Sequence, residues 1–294
     1  MGKTREIKKR IKAVGNIRRI TNTMRMIATS KFARAQQRAT ASKPFTEGVF
    51  ELVRKIGEAA GDGATHPLLS GPEGGTPATA REVTLVITSD RGLCGPYNGS
   101  ILRTAMNHFR NHESAKAGEI EVVGRKGMGF FKFANVPVSS QHTFGDKPEY
   151  ETIAELAQRY MDRFVAGEIS KVTVIFMKFI SAGRQKPEVM QLLPLRPPEQ
   201  AAGAEKKAGV DYEFSPPAEV LLANLLPAAV KATLFQSFSD AIVSEHVARM
   251  VAMKSATDNA GKMGKALTRK FNRARQAQIT TELTEIISGA AALG

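Results

Sequence analysis

The feature that most constrains the fold is the absence of proline from the last 67 residues of the chain, after Pro227. In this segment apolar side chains recur at helical spacing. One helix of about 60 residues would be roughly 90 Å long, far longer than a small domain is wide. A lone helix would leave its apolar seam in water, so the sequence predicts a partner helix. The apolar positions include Phe235, Phe238, Ile242, Val247, Met250, Met253, Met263, Leu267, Phe271, Leu283 and Ile286.

The N-terminal segment is the expected partner, because residues 3–43 also lack proline and carry a narrow apolar seam. The remainder of the chain lies between the two segments, so they can return to one place and pair antiparallel. Spacings near 3.5 predict a left-handed coiled coil, and we expect contacts to the C-terminal helix near Ile11, Val14 and Ile20. The predicted seam is Ile7, Ile11, Val14, Ile17, Ile20, Met24 and Ile27, and small residues at Ala256, Ala260, Gly261 and Gly264 predict close approach of the helices.

Between these helices the hydrophobic period changes to that of strands. The runs EVTLVITSD, EIEVVGR, PVSSQHT and KVTVIFMKFIS alternate with helical stretches at 97–115 and 149–168, which predicts a parallel, Rossmann-like α/β domain. KPEVMQLLPL is expected to add an antiparallel strand. The fold class is therefore α/β, with a long two-helix coiled coil beside a central domain. The predicted segments are an N-terminal helix and extension at 1–60 that Pro44 could kink, a loop at 61–80, the α/β domain at 81–195, a linker at 196–217 and the C-terminal helix at 218–294.

The charge is concentrated in the two helical segments. The formal net charge is +14, and most of it lies in residues 1–38 and 245–285. Such a balance favours an acidic partner, which could be nucleic acid, an anionic membrane surface or an acidic protein. A nucleic-acid partner is disfavoured, because no aromatic side chains for base stacking are interleaved with the charges. A solvated helix face remains an alternative.

The single cysteine, Cys94, excludes an internal disulfide and a cysteine-based zinc site, and it is typical of a reducing compartment. We expect no apolar run to reach the roughly 20 residues that span a bilayer. The N-terminus has no apolar core of a cleavable leader, since helical patterning begins by Ile7. We therefore expect no signal peptide, no metal and no cofactor.

The segment SDRGLCGPYN follows the first strand of the central domain and allows two interpretations. Its glycines could cradle a phosphate, or Cys94 could act as a nucleophile. The segment lacks the G-x-G-x-x-G spacing and the Walker lysine. We favour a tight structural turn of Asp90, Arg91, Gly92, Cys94 and Gly95, with Gly92 and Gly95 at unusual backbone angles and Cys94 packed inside.

Three stretches, IKKRIKAVGNIRRITNTMRMIATSKFARAQ, TSDRGLCGPYN and the segment from EHVARM to SGAAAL, together resemble the gamma subunit of F-type ATP synthase. The resemblance implies a non-catalytic rotor shaft inside a ring of three alpha and three beta subunits. The central domain would then be a foot on the membrane c-ring, near the epsilon subunit. A bacterial protein, peripheral on the cytoplasmic face of the inner membrane, is implied as well.

The resemblance also implies roles for single residues. It places a catch for the beta subunits at Arg275, Gln276, Thr280 and Glu282, and a contact with the beta-subunit lever at Met24 and Lys31. Tyr212 is expected to belong to the foot contacts with the c-ring or epsilon. From the residues alone, ordinary pairing along a helix surface would be preferred at the catch, and Met24 and Met26 would be seam and flank residues.

Two departures from the family pattern stand out. Phe271 occupies a position where the family commonly has tyrosine, and the paired cysteines of the chloroplast regulatory insert are missing. An α/β nucleotide-binding or hydrolytic enzyme with basic helical extensions remains the alternative function.

Overall fold

The computed structural model describes residues 2–60, 66–71, 80–195 and 217–293. Along the chain, one long helix precedes and another follows the segment that forms a five-stranded sheet. The elements are α1 (Gly2–Ala60), α2 (Pro67–Ser70), β1 (Arg81–Ile87), α3 (Tyr97–Asn111), α4 (Glu113–Ala117), β2 (Glu119–Val123), α5 (Arg125–Phe133), β3 (Ser140–His142), α6 (Tyr150–Val165), β4 (Ile169–Ser181), β5 (Arg184–Leu193) and α7 (Ala218–Leu293).

The sheet has the strand order β3-β2-β1-β4-β5. Strands β1 to β4 are parallel, and β5 pairs antiparallel with β4. This confirms the parallel α/β domain and the added antiparallel strand. Consecutive residues of β1 are buried on both faces, as expected for a parallel sheet that helices cover on each side.

The two faces of the sheet have separate apolar cores. On one face Val83, Leu85 and Ile87 pack with α6, with residues 222–241 of α7 and with the end of α1. On the other face Val86 and neighbouring strand residues pack with α3 and α5. Parts of both long helices therefore contribute to the core of the domain.

By its contacts the chain divides into two compact units, residues 1–30 with 249–294 and residues 31–248. The division falls inside α1 and α7, whereas the predicted segments follow the ends of helices. The reason is that side chains such as Val53 of α1 and Leu226 of α7 belong to the domain core. Both helices also run through a proline, Pro44 in α1 and Pro227 in α7, so Pro44 does not interrupt the helix.

Within the first unit the two helices are antiparallel, as predicted. Near one end the Thr4 hydroxyl donates to Gln278 Oε1 at 3.1 Å. Farther along, the Thr257 hydroxyl donates to Thr21 Oγ1 at 2.8 Å. Residue numbers rise on one helix as they fall on the other, which is the mark of an antiparallel pair.

The helices approach closely at glycines of α7. A Cβ placed on Gly261 would lie 3.6 Å from Arg18 Nε, and one on Gly264 would lie 4.0 Å from Val14 Cγ1. The small side chains thus let α1 lie against the backbone of α7, as the sequence predicted for this stretch.

The predicted seam of α1 is partly wrong. Ile7 and Val14 are buried, but Ile17, Ile20 and Ile27 are 52%, 56% and 52% exposed. The contact expected near Ile20 is made by its neighbour Thr21, which accepts from the Thr257 hydroxyl at 2.8 Å, while Ile20 itself is not buried. Beyond Val14 the inner positions carry Thr21, Arg25 and Ala28.

The inner positions of α1 keep a strict alternation of four and three residues, which is the 3.5-residue period of a coiled coil. Polar side chains occupy several of these positions. Arg18 lies beside Gly261 of α7, and Thr21 is hydrogen-bonded to Thr257 of α7. The isoleucines consequently follow a second, outward stripe. In this stretch of α1 the inner positions hold polar residues and the exposed positions hold isoleucines. A search for apolar positions in the sequence therefore cannot find the inner face.

One helix among the described residues is long and apolar enough to cross a membrane: α7 over Val220–Ala291 contains an 18-residue stretch with mean hydropathy 1.3. We expected no such run from the sequence. A helix in a protein core meets the same criteria, and Leu226, Val230 and Leu234 are fully buried in the domain. This stretch is therefore weak evidence for a membrane helix.

Candidate partner-binding surfaces

The turn after β1 is held by a network of polar side chains. Ser89 donates its backbone N–H to Asn98 Oδ1 at 3.0 Å, and its hydroxyl donates to the Arg91 carbonyl oxygen at 2.6 Å. The Asn98 amide donates to Cys94 Sγ at 3.3 Å, and Cys94 is buried. Cys94 is thus a packed part of the turn, as predicted from the sequence.

One glycine of this turn does not behave as predicted. Gly95 has a positive φ of 57°, but the second positive φ belongs to Leu93, at 64°, and not to Gly92. A Cβ at Gly92 would lie 3.4 Å from Lys126 Cε, an ordinary contact with the end of a flexible side chain, so this spacing does not require a glycine. Leu93 is left-handed although it has a branched side chain, which is uncommon, and it is 60% exposed.

The backbone N–H groups at the start of α5 are already used within the chain. The N–H of Arg125 donates to Asp90 Oδ1 at 3.1 Å, and that of Gly127 donates to Thr88 Oγ1 at 2.9 Å. The N–H of Lys126 donates to the Ser89 carbonyl oxygen at 3.1 Å. In a nucleotide-binding α/β domain such groups would receive the phosphates. Here they hold the turn after β1.

Helix α7 occupies the crevice at the carboxyl ends of β1 and β4, where open α/β sheets bind ligands. The Tyr97 hydroxyl donates to the Ala241 carbonyl oxygen at 3.0 Å, and the Ser244 hydroxyl donates to the Met177 carbonyl oxygen at 3.2 Å. The cavity beside them measures only about 30 Å³, whereas ligand pockets measure roughly 300 to 1,000 Å³. This crevice is a docking site for the chain's own helix.

Lys31, predicted at the lever contact, forms an ion pair with Asp146 of the loop between β3 and α6. Burial alone would raise the pKa of Asp146, but the hydrogen bond and charge of Lys31, with the charges of His246 and Arg91, hold this pKa below its usual value. Met24 is half-buried and Met26 is exposed on the neighbouring turn of α1.

The predicted catch residues lie on the last quarter of α7. Arg275, Gln276, Thr280 and Glu282 are all exposed. At 100° per residue, Arg275 and Glu282 share one face of the helix, and Gln276 and Thr280 share another. The Thr280 hydroxyl donates to the Gln276 carbonyl oxygen at 3.0 Å, so it is bound within its own helix.

A connection that the sequence did not reveal joins this region to α1. Gln278 accepts from Thr4 and donates from Nε2 to Glu282 Oε1 at 2.8 Å. Thr4 and Gln278 are 274 residues apart in the sequence, and a single pair of polar side chains gives no periodic pattern that would predict the contact. The side chains that follow Gln278 are exposed through residue 291, among them Ile279, Leu283 and Ile286.

Tyr212 and the linker at 196–216 lie outside the described residues. The described residues hold no group of three or more His, Cys, Asp or Glu side chains placed to bind a metal ion.

The family model described as ATP synthase matches residues 3–293 of this chain. The chain is also 40% identical over 299 residues to the ATP synthase gamma chain of Rhodopirellula baltica, with 100% of this chain and 99% of the relative covered. The chain belongs to the ATP synthase gamma chain family. The chain is also 40% identical to the gamma chain of Exiguobacterium sp. and 39% identical to that of Leptospira biflexa. Each of these alignments covers 100% of this chain and 100% of the relative.

Solved structures with the same fold include chains of mitochondrial ATP synthases. The rotor of the Euglena gracilis mitochondrial ATP synthase gives a TM-score of 0.60 at 17% identity, covering 95% of this chain and 99% of its own. A chain from the OSCP/F1/c-ring assembly of the same organism gives 0.65 at 16% identity, covering 99% and 95%. At these identities they show the fold alone.

Proposed function

We propose that this gamma chain is the central rotor shaft of an F-type ATP synthase, which couples ion flow through the c-ring to ATP synthesis or hydrolysis. The chain itself makes and breaks no bond. An asymmetric shaft within a ring of three alpha and three beta subunits presents a different surface to each beta subunit. Rotation then changes nucleotide affinity at each site in turn, because the contacts differ between the conformations of the beta subunits.

The observation that carries this proposal is the outward apolar stripe of α1. Its members Ile17, Ile20 and Ile27 are about half exposed on a helix whose inner positions are filled by other residues. Isoleucines repeated along one side of a helix pair call for a partner surface. The exposed Arg19 lies in the same stretch of α1, so the surface suits partners that offer apolar and acidic groups.

Met24 and Lys31 are proposed to meet the lever of a beta subunit. A thioether adapts to irregular and changing surroundings, which suits a surface that slides. Lys31 has its own partner in Asp146 but remains 37% exposed, so its ammonium can also approach an acidic lever.

Arg275, Gln276, Thr280 and Glu282 are proposed as the catch. They are exposed over two faces of α7, so a partner could contact one face at one angle and the other face at the next. Charge-assisted hydrogen bonds contribute about 1.5 to 3 kcal/mol each, enough to favour one angle without preventing rotation.

The domain of β1 to β5 is proposed as the foot that meets the c-ring and the epsilon subunit, with Tyr212 among its contacts. The chain would accordingly be peripheral to the membrane, on the cytoplasmic face of a bacterial inner membrane. We assign the shaft to segments 1–60 and 218–294, and the foot to segment 81–195.

Co-purification tests the proposal. The tagged chain should form a complex with alpha and beta subunits, and the complex should hydrolyse ATP faster than alpha and beta subunits without it. The purified chain alone should not bind ATP at micromolar concentration. A chain that binds or hydrolyses ATP alone, and that alpha and beta subunits do not retain, would favour the enzyme alternative.

A further inference from the structure

Two neighbouring residues of α1 contact different strands at the carboxyl end of the sheet, one beside β3 and one on β4, with β2 and β1 lying between these strands. Lys31 pairs with Asp146, which follows the edge strand β3. Phe32 packs against Phe179 near the end of β4, with ring centroids 6.1 Å apart and an interplanar angle of 57°. One turn of α1 is therefore held from both sides of the domain.

The loop that carries Asp146 also contacts α7. Phe144 meets Phe238 edge to face at 5.2 Å, and Tyr150 meets Phe235 in the same manner at 5.4 Å. The segment 142–150 thus contacts α1 through a charge and α7 through two aromatic pairs. It is the connection between β3 and α6, so a force on either helix reaches the sheet through it.

A buried polar chain anchors the segment in the domain. His142 lies at its start, with Nε2 2.6 Å from Glu121 Oε2, and the Tyr160 hydroxyl donates to the same carboxylate oxygen at 2.7 Å. The His142 ring stacks on Phe144 at 5.8 Å with an interplanar angle of 14°. Side chains from β2, β3 and α6 thereby fix the ring that contacts α7.

We propose that the segment 142–150, through the Lys31–Asp146 pair and the Phe144–Phe238 contact, transmits torque between the central domain and the two long helices. This inference rests on the proposed rotor function and deepens it. Asp146 and Phe144 act as positioning residues, because they fix the angle of the helices on the domain.

The chemistry of these contacts suits the task. Burial of apolar surface resists separation but is non-directional, so it opposes rotation of a helix in its groove only weakly. Ion pairs and edge-to-face aromatic contacts have preferred geometries. Because segment 142–150 makes such contacts with both α1 and α7, a turning force on the domain acts on both helices and not on one alone.

The test is rotation under load in the assembled complex. A bead is attached to the domain through Lys132→Cys, an exposed position on α5, and the alpha–beta ring is fixed to glass. The variants are Asp146→Ala, Lys31→Ala and the exchange Lys31→Asp with Asp146→Lys. Arg163→Ala is the matched control, since the ion pairs described for Arg163 are with Glu119 at 2.8 Å and Glu168 at 3.3 Å, and neither partner lies on a long helix.

With a small bead, Asp146→Ala and Arg163→Ala should rotate at the normal speed. The Lys31 variants also alter the proposed lever contact, so each is compared only with its own small-bead speed. With a large bead, both alanine variants should turn slower by roughly two- to ten-fold, the range expected for a half-exposed charged pair. The exchange should restore the speed, and Arg163→Ala should not change it. A purely structural role would lower the speed with both beads.

The outcomes separate this inference from the function on which it rests. If the unsubstituted chain carries no rotation, the rotor proposal fails. If it rotates and Asp146→Ala responds to load as the control does, only the torque assignment fails. If the alanine variants slow but the exchange does not restore speed, Lys31 acts on a partner subunit and not through Asp146.

Discussion

The Tyr97 hydroxyl donates a hydrogen bond of 3.0 Å to the carbonyl oxygen of Ala241, so the turn after β1 is tied to α7 at the crevice where related folds hold a nucleotide. Tyr97→Phe should lower the free energy of unfolding by about 1 kcal/mol. It should create no ATP binding, because α7 still fills the crevice. Denaturant unfolding and ATP titration of the purified chain check both statements.

Tyr150→Phe is the matched control for that substitution. Tyr150 is 38% exposed and contacts Phe235 through its ring, which phenylalanine keeps. Equal losses of stability in the two variants would contradict a specific role for the Tyr97 hydroxyl.

A second prediction separates the inner and outer stripes of α1. Val14→Asp places a charge at a buried position and should cost about 2 to 4 kcal/mol of stability. Ile17→Asp, three residues later, should change stability by no more than about 0.5 kcal/mol but should weaken binding to the alpha–beta ring. Thermal unfolding and ring binding give the two readouts, and a reversed order would show that our assignment of the stripes is wrong.

The sequence predicted the architecture because long proline-free segments and alternating β-branched runs are strong, repeated signals. It failed where burial and polarity diverge. Ile17 and Ile20 were placed in the seam because they are apolar, yet Arg18 and Thr21 face α7, where Gly261 leaves room for a long side chain. A coiled coil with glycines in one helix accepts polar residues in the other.

The connections of the central domain could not be predicted for a different reason. Lys31 and Asp146 are 115 residues apart, and each would be an ordinary surface charge in a sequence. The turn after β1 was predicted as structural, but the strain falls on Leu93 and not on Gly92.

A third prediction concerns pH. Burial raises the pKa of Asp240 to about 6, against hydrogen bonding from Gln236 and the positive charges of Lys178 and Lys43. Since the folded pKa lies above the unfolded one, the protonated side chain favours the folded state, and this contribution is lost as pH rises through about 6.

Asp240→Asn should therefore stabilise the chain by about 1 to 2 kcal/mol at pH 8 and by almost nothing at about pH 4. Urea unfolding of both proteins across this range isolates the effect, because other carboxylates titrate alike in each. A stability difference that is constant with pH would contradict the raised pKa.

A fourth prediction addresses the catch. Arg275→Ala with Gln276→Leu should keep α7 helical, since alanine and leucine are good helix formers, and should allow assembly. Turnover should fall by roughly one to two decades if one charged contact of about 1.5 to 3 kcal/mol is lost in the rate-limiting step. ATPase rate and proton pumping of reconstituted complexes measure it.

Thr281→Ala is the control for the catch, because Thr281 is exposed and its hydroxyl donates only to the Ala277 carbonyl of its own helix in the described contacts. Removal of residues 288–293 should have less effect than the double substitution, since these small side chains offer few directional bonds. A normal double variant beside an inactive truncation would place the coupling in the tip of the helix.

The most direct test of the rotor function is observation of the central domain while the complex hydrolyses ATP. A bead attached at Lys132→Cys should turn in one direction, with three pauses per revolution, when ATP is added to alpha–beta rings fixed to glass. The rotation should cease when ATP is removed. Steady ATP hydrolysis by an intact complex whose bead stays still, or turns equally in both directions, would contradict the assignment of this chain as the rotor shaft.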